Sequence, residues 1–155
     1  MRNAKGALVK TYGLRDIIGP IMVGPSSSHT AGALALASMA RKLFGEQPER
    51  AVFTLYGSFA ATGSGHGTDK ALIAGIMGME TDDPRIRLAP ELAREQGLEV
   101  NITTGDIDGA HPNTARVILT DADGRTVILL GSSIGGGNIL VTEVNGMEGS
   151  ITGQH

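Results

Sequence analysis

The sequence predicts an α+β protein, a mixed and largely antiparallel sheet with helices packed on it. Apolar helical segments fall in the first half of the chain, consecutive short strand-like segments fill the second half, and an Asp-Gly pair sits between two of those strands. Helices placed ahead of a run of sequential strands argue for this arrangement. They argue against a TIM barrel or a Rossmann sheet, where the two element types alternate.

Residues 1–11 are polar, small and aperiodic and are expected to form a flexible tail, leaving 12–155 as one domain. The run from Ile17 to Pro25 contains two Gly-Pro pairs, which predict extended or turn-like backbone. Ser26, Ser27 and Ser28 then offer N-caps for a helix from about His29 to Phe44, stopped by Gly45 and Pro48. Ala51–Tyr56 is apolar and rich in β-formers, a buried strand. It leads through a Gly- and Ser-rich loop, Gly57–Gly67, to a second helix that starts at Thr68 or Asp69 and ends at Gly78. A more polar third helix fits Pro84–Gln96, with Gly97 just beyond its end. Leu98–Thr103 alternates weakly as a strand. Thr114–Thr120 and Thr126–Leu130 are strong strands joined through Asp123-Gly124, a hairpin signal. Gly131–Gly137 reads as a turn, Asn138–Val144 as a further strand, and Met147–Thr152 as a short last one.

Composition narrows the function classes. The chain has three Phe, two Tyr and no Trp against 41% apolar residues, so its core must be aliphatic. Its net charge is −3, with no basic block to neutralise phosphates and few aromatics for bases to stack on, so nucleic acid is not an expected partner. No segment reaches the roughly 18 apolar residues of a membrane helix, and no secretory h-region follows Met1. The expected location is cytoplasmic. Without cysteine, the chain itself cannot hold a disulfide, a thiolate nucleophile or a Cys-ligated zinc or iron–sulfur centre.

Three of four histidines stand in turns rich in Gly, Pro or Ser: His29 after Gly24–Ser28, His66 between Gly65 and Gly67, and His111 before Pro112 and Asn113. Imidazole titrates nearest working pH and is the usual proton-transfer group. The competing reading is that each histidine staples its own turn. The segment Ser26–Thr30 sets hydroxyls and free backbone N–H groups at a helix start, a site that favours a carboxylate or phosphate. Gly63–Lys70 fails both nucleotide tests: Thr68 and Asp69 interrupt the Walker A order, and the glycine spacing is not that of a dinucleotide loop. No His-x-His or His-Glu-x-x-His occurs, so no independent zinc site is expected. The residues alone lead to an anion-binding pocket with proton-transfer groups and do not name a substrate.

The motifs carry further. Ile18-Gly19-Pro20 with Gly24-Pro25-Ser26-Ser27-Ser28-His29-Thr30-Ala31-Gly32 resembles the opening signature of iron–sulfur-dependent L-serine dehydratases. Tyr56-Gly57-Ser58-Phe59, Gly65-His66-Gly67-Thr68-Asp69, His111-Pro112-Asn113-Thr114 and Ser133–Gly137 follow in that family's order, covering about Tyr12 to Gly146. The resemblance implies a fold similar to the serine dehydratase β domain and the related allosteric substrate-binding domain. It implies a lyase of serine catabolism that forms pyruvate and ammonia from L-serine without pyridoxal phosphate. A 4Fe–4S cluster would be held by cysteines of an α subunit, so this chain would be a β subunit, inactive alone, working in an α/β heteromer or a homo-oligomer of such units. The resemblance makes His66 the catalytic base. It makes Ser26, Ser27, Ser28, His29, Thr30, Gly65, Thr68, Asp69, His111 and Asn113 substrate-binding residues. Members of the family usually continue into an ACT regulatory domain, whose absence is expected here because the sequence stops at His155. The alternative is a non-catalytic anion- or serine-binding module like that of some phosphoglycerate dehydrogenases. A third reading, a purely structural assembly subunit, leaves the histidines idle.

Overall fold

Alanine and leucine dominate the segment that becomes the central helix of the computed structural model, which describes residues 27–62, 67–107, 109 and 111–153, with backbone alone for 27–29, 62 and 147–153. That helix, α1 (Ser27–Phe44), buries Ala33, Leu34, Ala35, Leu36, Ala37 and Ala40. Apolar residues on nearly every side of a helix mean a buried one. Alanine also has the highest helix propensity, and its small side chain lets neighbours approach from both sides.

The chain continues through β1 (Arg50–Tyr56), α2 (Gly57–Thr62), α3 (Thr68–Ile76), a 3-10 turn at Ile86–Leu88, α4 (Ala89–Glu95) and β2 (Glu99–Thr104). Four further strands follow: β3 (Asn113–Thr120), β4 (Thr126–Gly135), β5 (Asn138–Val144) and β6 (Met147–Gly153). Together they form a six-stranded sheet in the order β2-β1-β3-β4-β5-β6. Only the β1–β2 pair is parallel, because all the intervening helices lie in the connection between them; the remaining pairs are antiparallel. The predicted class holds.

One face of the sheet makes the core. Ala51, Phe53 and Leu55 of β1, Ala115, Val117 and Leu119 of β3, Val127 and Leu129 of β4, and Ile139 and Val141 of β5 are buried at alternate positions. Helix α1 lies across β3, β4 and β5, and α3 packs on α1. The α1–α3 approach is close: a Cβ at Gly75 would stand 2.6 Å from the Leu34 carbonyl oxygen and 2.7 Å from the Ala37 Cβ. At the far end of α1, the guanidinium of Arg125 stacks 4.0 Å over the Phe44 ring and donates to the Phe44 carbonyl at 2.8 Å. The β3–β4 loop is thereby tied to the helix.

Several expectations need correction. Gly131–Gly137 is not a turn. Strand β4 runs on to Gly135, and only Gly136-Gly137 turn, both at positive φ, between the paired Gly135 and Asn138. The small residues at 131–133 serve close packing instead, since a Cβ on Gly131 would meet Leu36 Cδ2 at 2.7 Å. Residues 57–62 form the short helix α2, not open loop. The third helix is shorter than Pro84–Gln96 and is preceded by the 3-10 turn; Pro90 sits in the first turn of α4, where its missing N–H costs nothing. Helix α1 begins at Ser27, not His29. The Asp123-Gly124 hairpin is as expected: the Asp121 carboxylate accepts the N–H groups of Asp123 (2.9 Å) and Arg125 (2.8 Å), and Gly124 adopts φ +88°. The expected tail, residues 1–11, lies outside the described residues. No helix among the described residues is long and apolar enough to cross a membrane.

Candidate functional site

Strand direction gathers three of the singled-out segments, those at Tyr56, His111–Thr114 and Ser133–Gly137, at one end of the sheet. Tyr56 at the end of β1 pairs with Thr114 at the start of β3, and Thr114 pairs with Ser132 in β4. Parallel β2 finishes at the same end, Thr104 standing beside Leu55. Because β1 lies between β2 and β3, residues 105–112 must arch across the end of β1 to reach β3.

The first turns of α1 sit on this end of the sheet. A Cβ on Gly32 would lie 2.0 Å from Ser133 Oγ and 2.4 Å from Ser133 Cβ, so glycine alone lets the helix rest on β4. Helix α3 follows α2, which leaves β1 directly at this end, with residues 63–67 between the two helices.

The turn carrying His111 is held at several points. Gly57 bridges to Asn113, and the backbone N–H of Ser58 donates to the Pro112 carbonyl. Gly57 has φ +60°, and a Cβ there would fall 2.3 Å from the Pro112 oxygen. The Thr114 hydroxyl donates to the His111 carbonyl at 2.6 Å and lies 2.8 Å from the Ser132 hydroxyl. The Asn113 N–H donates to His111 Nδ1 at 3.0 Å. The backbone of this turn is pinned while the His111 side chain stays exposed.

Four buried side-chain atoms among the described residues have no hydrogen-bond partner: Thr30 Oγ1, Thr68 Oγ1, Asn113 Oδ1 and Arg41 Nε. Three of them belong to residues already singled out from the sequence. Thr30 and Thr68 are fully buried in the first turns of α1 and α3. A buried polar atom left unpaired costs about 1–3 kcal/mol, and such atoms in a folded protein call for a specific explanation. A polar ligand reaching these residues would supply the missing partners.

Asp69 is placed differently. Its carboxylate accepts the N–H of Lys70 at 2.8 Å in the first turn of α3, where a negative charge also suits the helix dipole. That local contact serves the helix start. Ser27, Ser28 and His29 form the opening turn of α1, and their side chains lie outside the description. Ser26, Gly65 and His66 lie outside the described residues altogether. Among the described residues, no three His, Asp or Glu side chains are grouped so as to hold a metal ion.

Sequence reasoning missed Ser132 as part of the site and quoted Gly57 within a motif without giving it a role. The signal available was the presence of small polar residues, Ser132 and Ser133, in an otherwise aliphatic strand.

Comparison with known proteins agrees with the motifs. A family model described as the serine dehydratase beta chain matches residues 16–108 and ends before His111. The probable L-serine dehydratase, beta chain, of Bacillus subtilis is 49% identical over 140 residues, covering 90% of this chain and 63% of the relative. The L-serine dehydratase, beta chain, of Peptoniphilus asaccharolyticus is 43% identical over 145 residues, covering 93% of this chain and 65% of the relative. The L-serine dehydratase of Mycobacterium tuberculosis is 33% identical over 155 aligned positions, covering 83% of this chain and 33% of the relative. The chain thus spans slightly under two thirds of the length of the two beta chains it matches. With the matched family model and both beta chains in agreement over most of its length, the chain belongs to the serine dehydratase beta-chain family.

Proposed function

We propose that this chain is the β part of an L-serine ammonia-lyase, forming the substrate-binding and proton-handling half of an active site shared with a cysteine-bearing α subunit. The observation that carries the reading is the set of unpartnered buried atoms on Thr30, Thr68 and Asn113. Two hydroxyls suit the oxygens of a carboxylate, and an amide oxygen suits an ammonium group. A small zwitterionic amino acid satisfies both. Helix α1 adds to the carboxylate's attraction. It is 18 residues long, and no acidic residue of its own first turn opposes the partial positive charge of its N-terminus.

A 4Fe–4S cluster bound by the α subunit supplies Lewis acidity toward the substrate's oxygens. The donor set of this chain complements such a group. Its hydroxyls, amide and imidazole grip and orient the substrate and handle protons. Thr30 and Thr68 hold the carboxylate, with Ser26, Ser27, Ser28 and His29 completing that grip at the start of α1. Asn113 and His111 contact the substrate from the turn that opens β3, and Gly65 and Asp69 flank the base in sequence. His66 takes the α-proton, a role rated at about 10²–10⁴ in rate. The family motif around it supports that assignment.

Anaerobic co-expression with a cysteine-bearing α partner is expected to yield a complex that releases pyruvate from L-serine. In the His66→Ala complex turnover is lost while the cluster's absorbance and the subunit association persist. A parent complex that binds serine and never turns it over would sink the enzymatic reading and leave a binding module.

The threonines allow a sharper test. Thr30→Val and Thr68→Val each replace an unpaired buried hydroxyl by a methyl group. Each is expected to raise the stability of the ligand-free chain by about 1 kcal/mol and to weaken serine binding by the assembled complex roughly tenfold or more. Thermal unfolding and a binding isotherm check both halves. A fall in ligand-free stability would mean that the hydroxyls serve the fold.

A further inference from the structure

The hydroxyl pair beneath the His111 turn has a defined direction. A threonine hydroxyl has one hydrogen, and the carbonyl of His111, 2.6 Å from Thr114 Oγ1, can only accept. Thr114 therefore spends its hydrogen on His111, and in the 2.8 Å contact with Ser132 the serine must be the donor. Both residues are buried, Thr114 at 4% and Ser132 at 6% exposure, so water does not compete for these bonds. The relay runs one way, from Ser132 to Thr114 to the His111 carbonyl.

The other end of the turn fixes the imidazole. Nδ1 of His111 accepts the Asn113 N–H at 3.0 Å, which assigns the hydrogen of a neutral ring to Nε2. Asn113 is kept in place by the same backbone: it is the first residue of β3, bridged to Gly57 and followed directly by Thr114.

We propose that Ser132 and Thr114 are positioning residues that hold His111 in its Nε2–H tautomer, presenting it to substrate as a hydrogen-bond donor that keeps its proton. This deepens the reading of the chain as half of a serine ammonia-lyase and rests on it for the substrate, but the tautomer is a property of the chain itself. The assignment divides the work of the histidines. His111 orients a substrate oxygen, and the proton-accepting role falls to another group.

The test has one arm that does not involve turnover. In the full chain labelled with 15N-histidine, the His111 ring nitrogens, identified by their loss in His111→Gln, are expected to report a single Nε2–H tautomer. Thr114→Ser keeps the hydroxyl and is expected to match the parent. Thr114→Val and Ser132→Ala are expected to give averaged shifts from a mixture of tautomers. In the complex with the α partner, both variants should lose kcat by roughly tenfold to 10²-fold, the scale of a small misplacement, with KM changed much less. Thr114→Ser should restore kcat. Should Thr114→Val fail to fold, Ser132→Ala decides on the same readouts. An Nδ1–H tautomer in the parent chain overturns the proposal, as does an unaltered tautomer and kcat in the folded variants. A parent complex without serine turnover removes the substrate reading and leaves the tautomer arm standing, so the two failures are distinguishable.

Discussion

Gly32→Ala is expected to lower the melting temperature of the chain and the turnover of the assembled complex together. The added methyl would lie 2.0 Å from Ser133 Oγ and 2.4 Å from Ser133 Cβ. Serine is too short to swing clear, and its Cβ is fixed to the backbone of β4, so the helix or the strand must move. Overpacking of this kind costs about 1–3 kcal/mol, and for a chain of this size each kcal/mol shifts the melting temperature by roughly 2–4 °C. The functional loss should exceed the loss of stability, because the displaced turn of α1 carries Thr30 and the residues expected to grip the carboxylate. Adding Ser133→Gly removes the obstructing side chain and should return much of both losses. An unchanged melting temperature in Gly32→Ala would show that the helix does not press on β4 as described.

Gly57→Ala is expected to be the most damaging single methyl at the site, and Gly124→Ala measures how much of that damage is backbone strain alone. Both glycines have positive φ, +60° and +88°. A non-glycine residue in this region pays about 1–2 kcal/mol. At Gly124 nothing lies within 4 Å of the added Cβ, so that conformational penalty is the whole effect. At Gly57 the Cβ also meets three backbone atoms of Pro112, the nearest at 2.3 Å. The excess over Gly124→Ala should be about 1–3 kcal/mol by denaturant unfolding. On the proposed function, serine turnover should collapse only in Gly57→Ala, because the methyl drives the His111 turn away from β1. Equal destabilisation by the two variants would remove Pro112 as the partner that makes glycine necessary at position 57.

The fold was legible wherever local pattern decides structure. The Ala- and Leu-rich run that becomes α1, the β-branched and aromatic run of β1, and the Asp123-Gly124 loop each announce themselves through periodicity or turn chemistry. Helix α2 did not, because six residues beginning Gly-Ser are too few for a helical period and begin like a loop. The extension of β4 through Gly131–Ser133 was hidden because glycine and serine signal turns in a sequence, while here they thin the strand where α1 presses on it. The parallel pairing of β1 with β2 joins positions 49 residues apart, a distance at which local pattern carries no information.

The site divides in the same way. Thr30, Thr68 and Asn113 were found through their motifs, and the structure adds what motifs do not contain, a buried polar atom on each without a partner. Asp69 was also singled out, and its carboxylate contacts its own helix start. Ser132 could not have been tied to His111 from the sequence. Their link runs through Thr114, 18 residues from Ser132, and depends on the register that sets Thr114 opposite Ser132 in the β3–β4 pair.

The order of strands at the sheet's edge also dictates an architecture for the segment that carries His111. Leaving β2 for β3 means clearing one intervening strand, a horizontal gap of two strand spacings, about 10 Å. The eight residues 105–112 could stretch to roughly 26 Å, more than twice that gap. The connection is anchored at both footings: the Gly105 N–H donates to the Leu55 carbonyl, and Pro112 and Asn113 are tied to Ser58 and Gly57. Shortening this connection by two or three residues should leave every strand pair in place, which makes its length a dimension along which related proteins can vary the segment that carries His111.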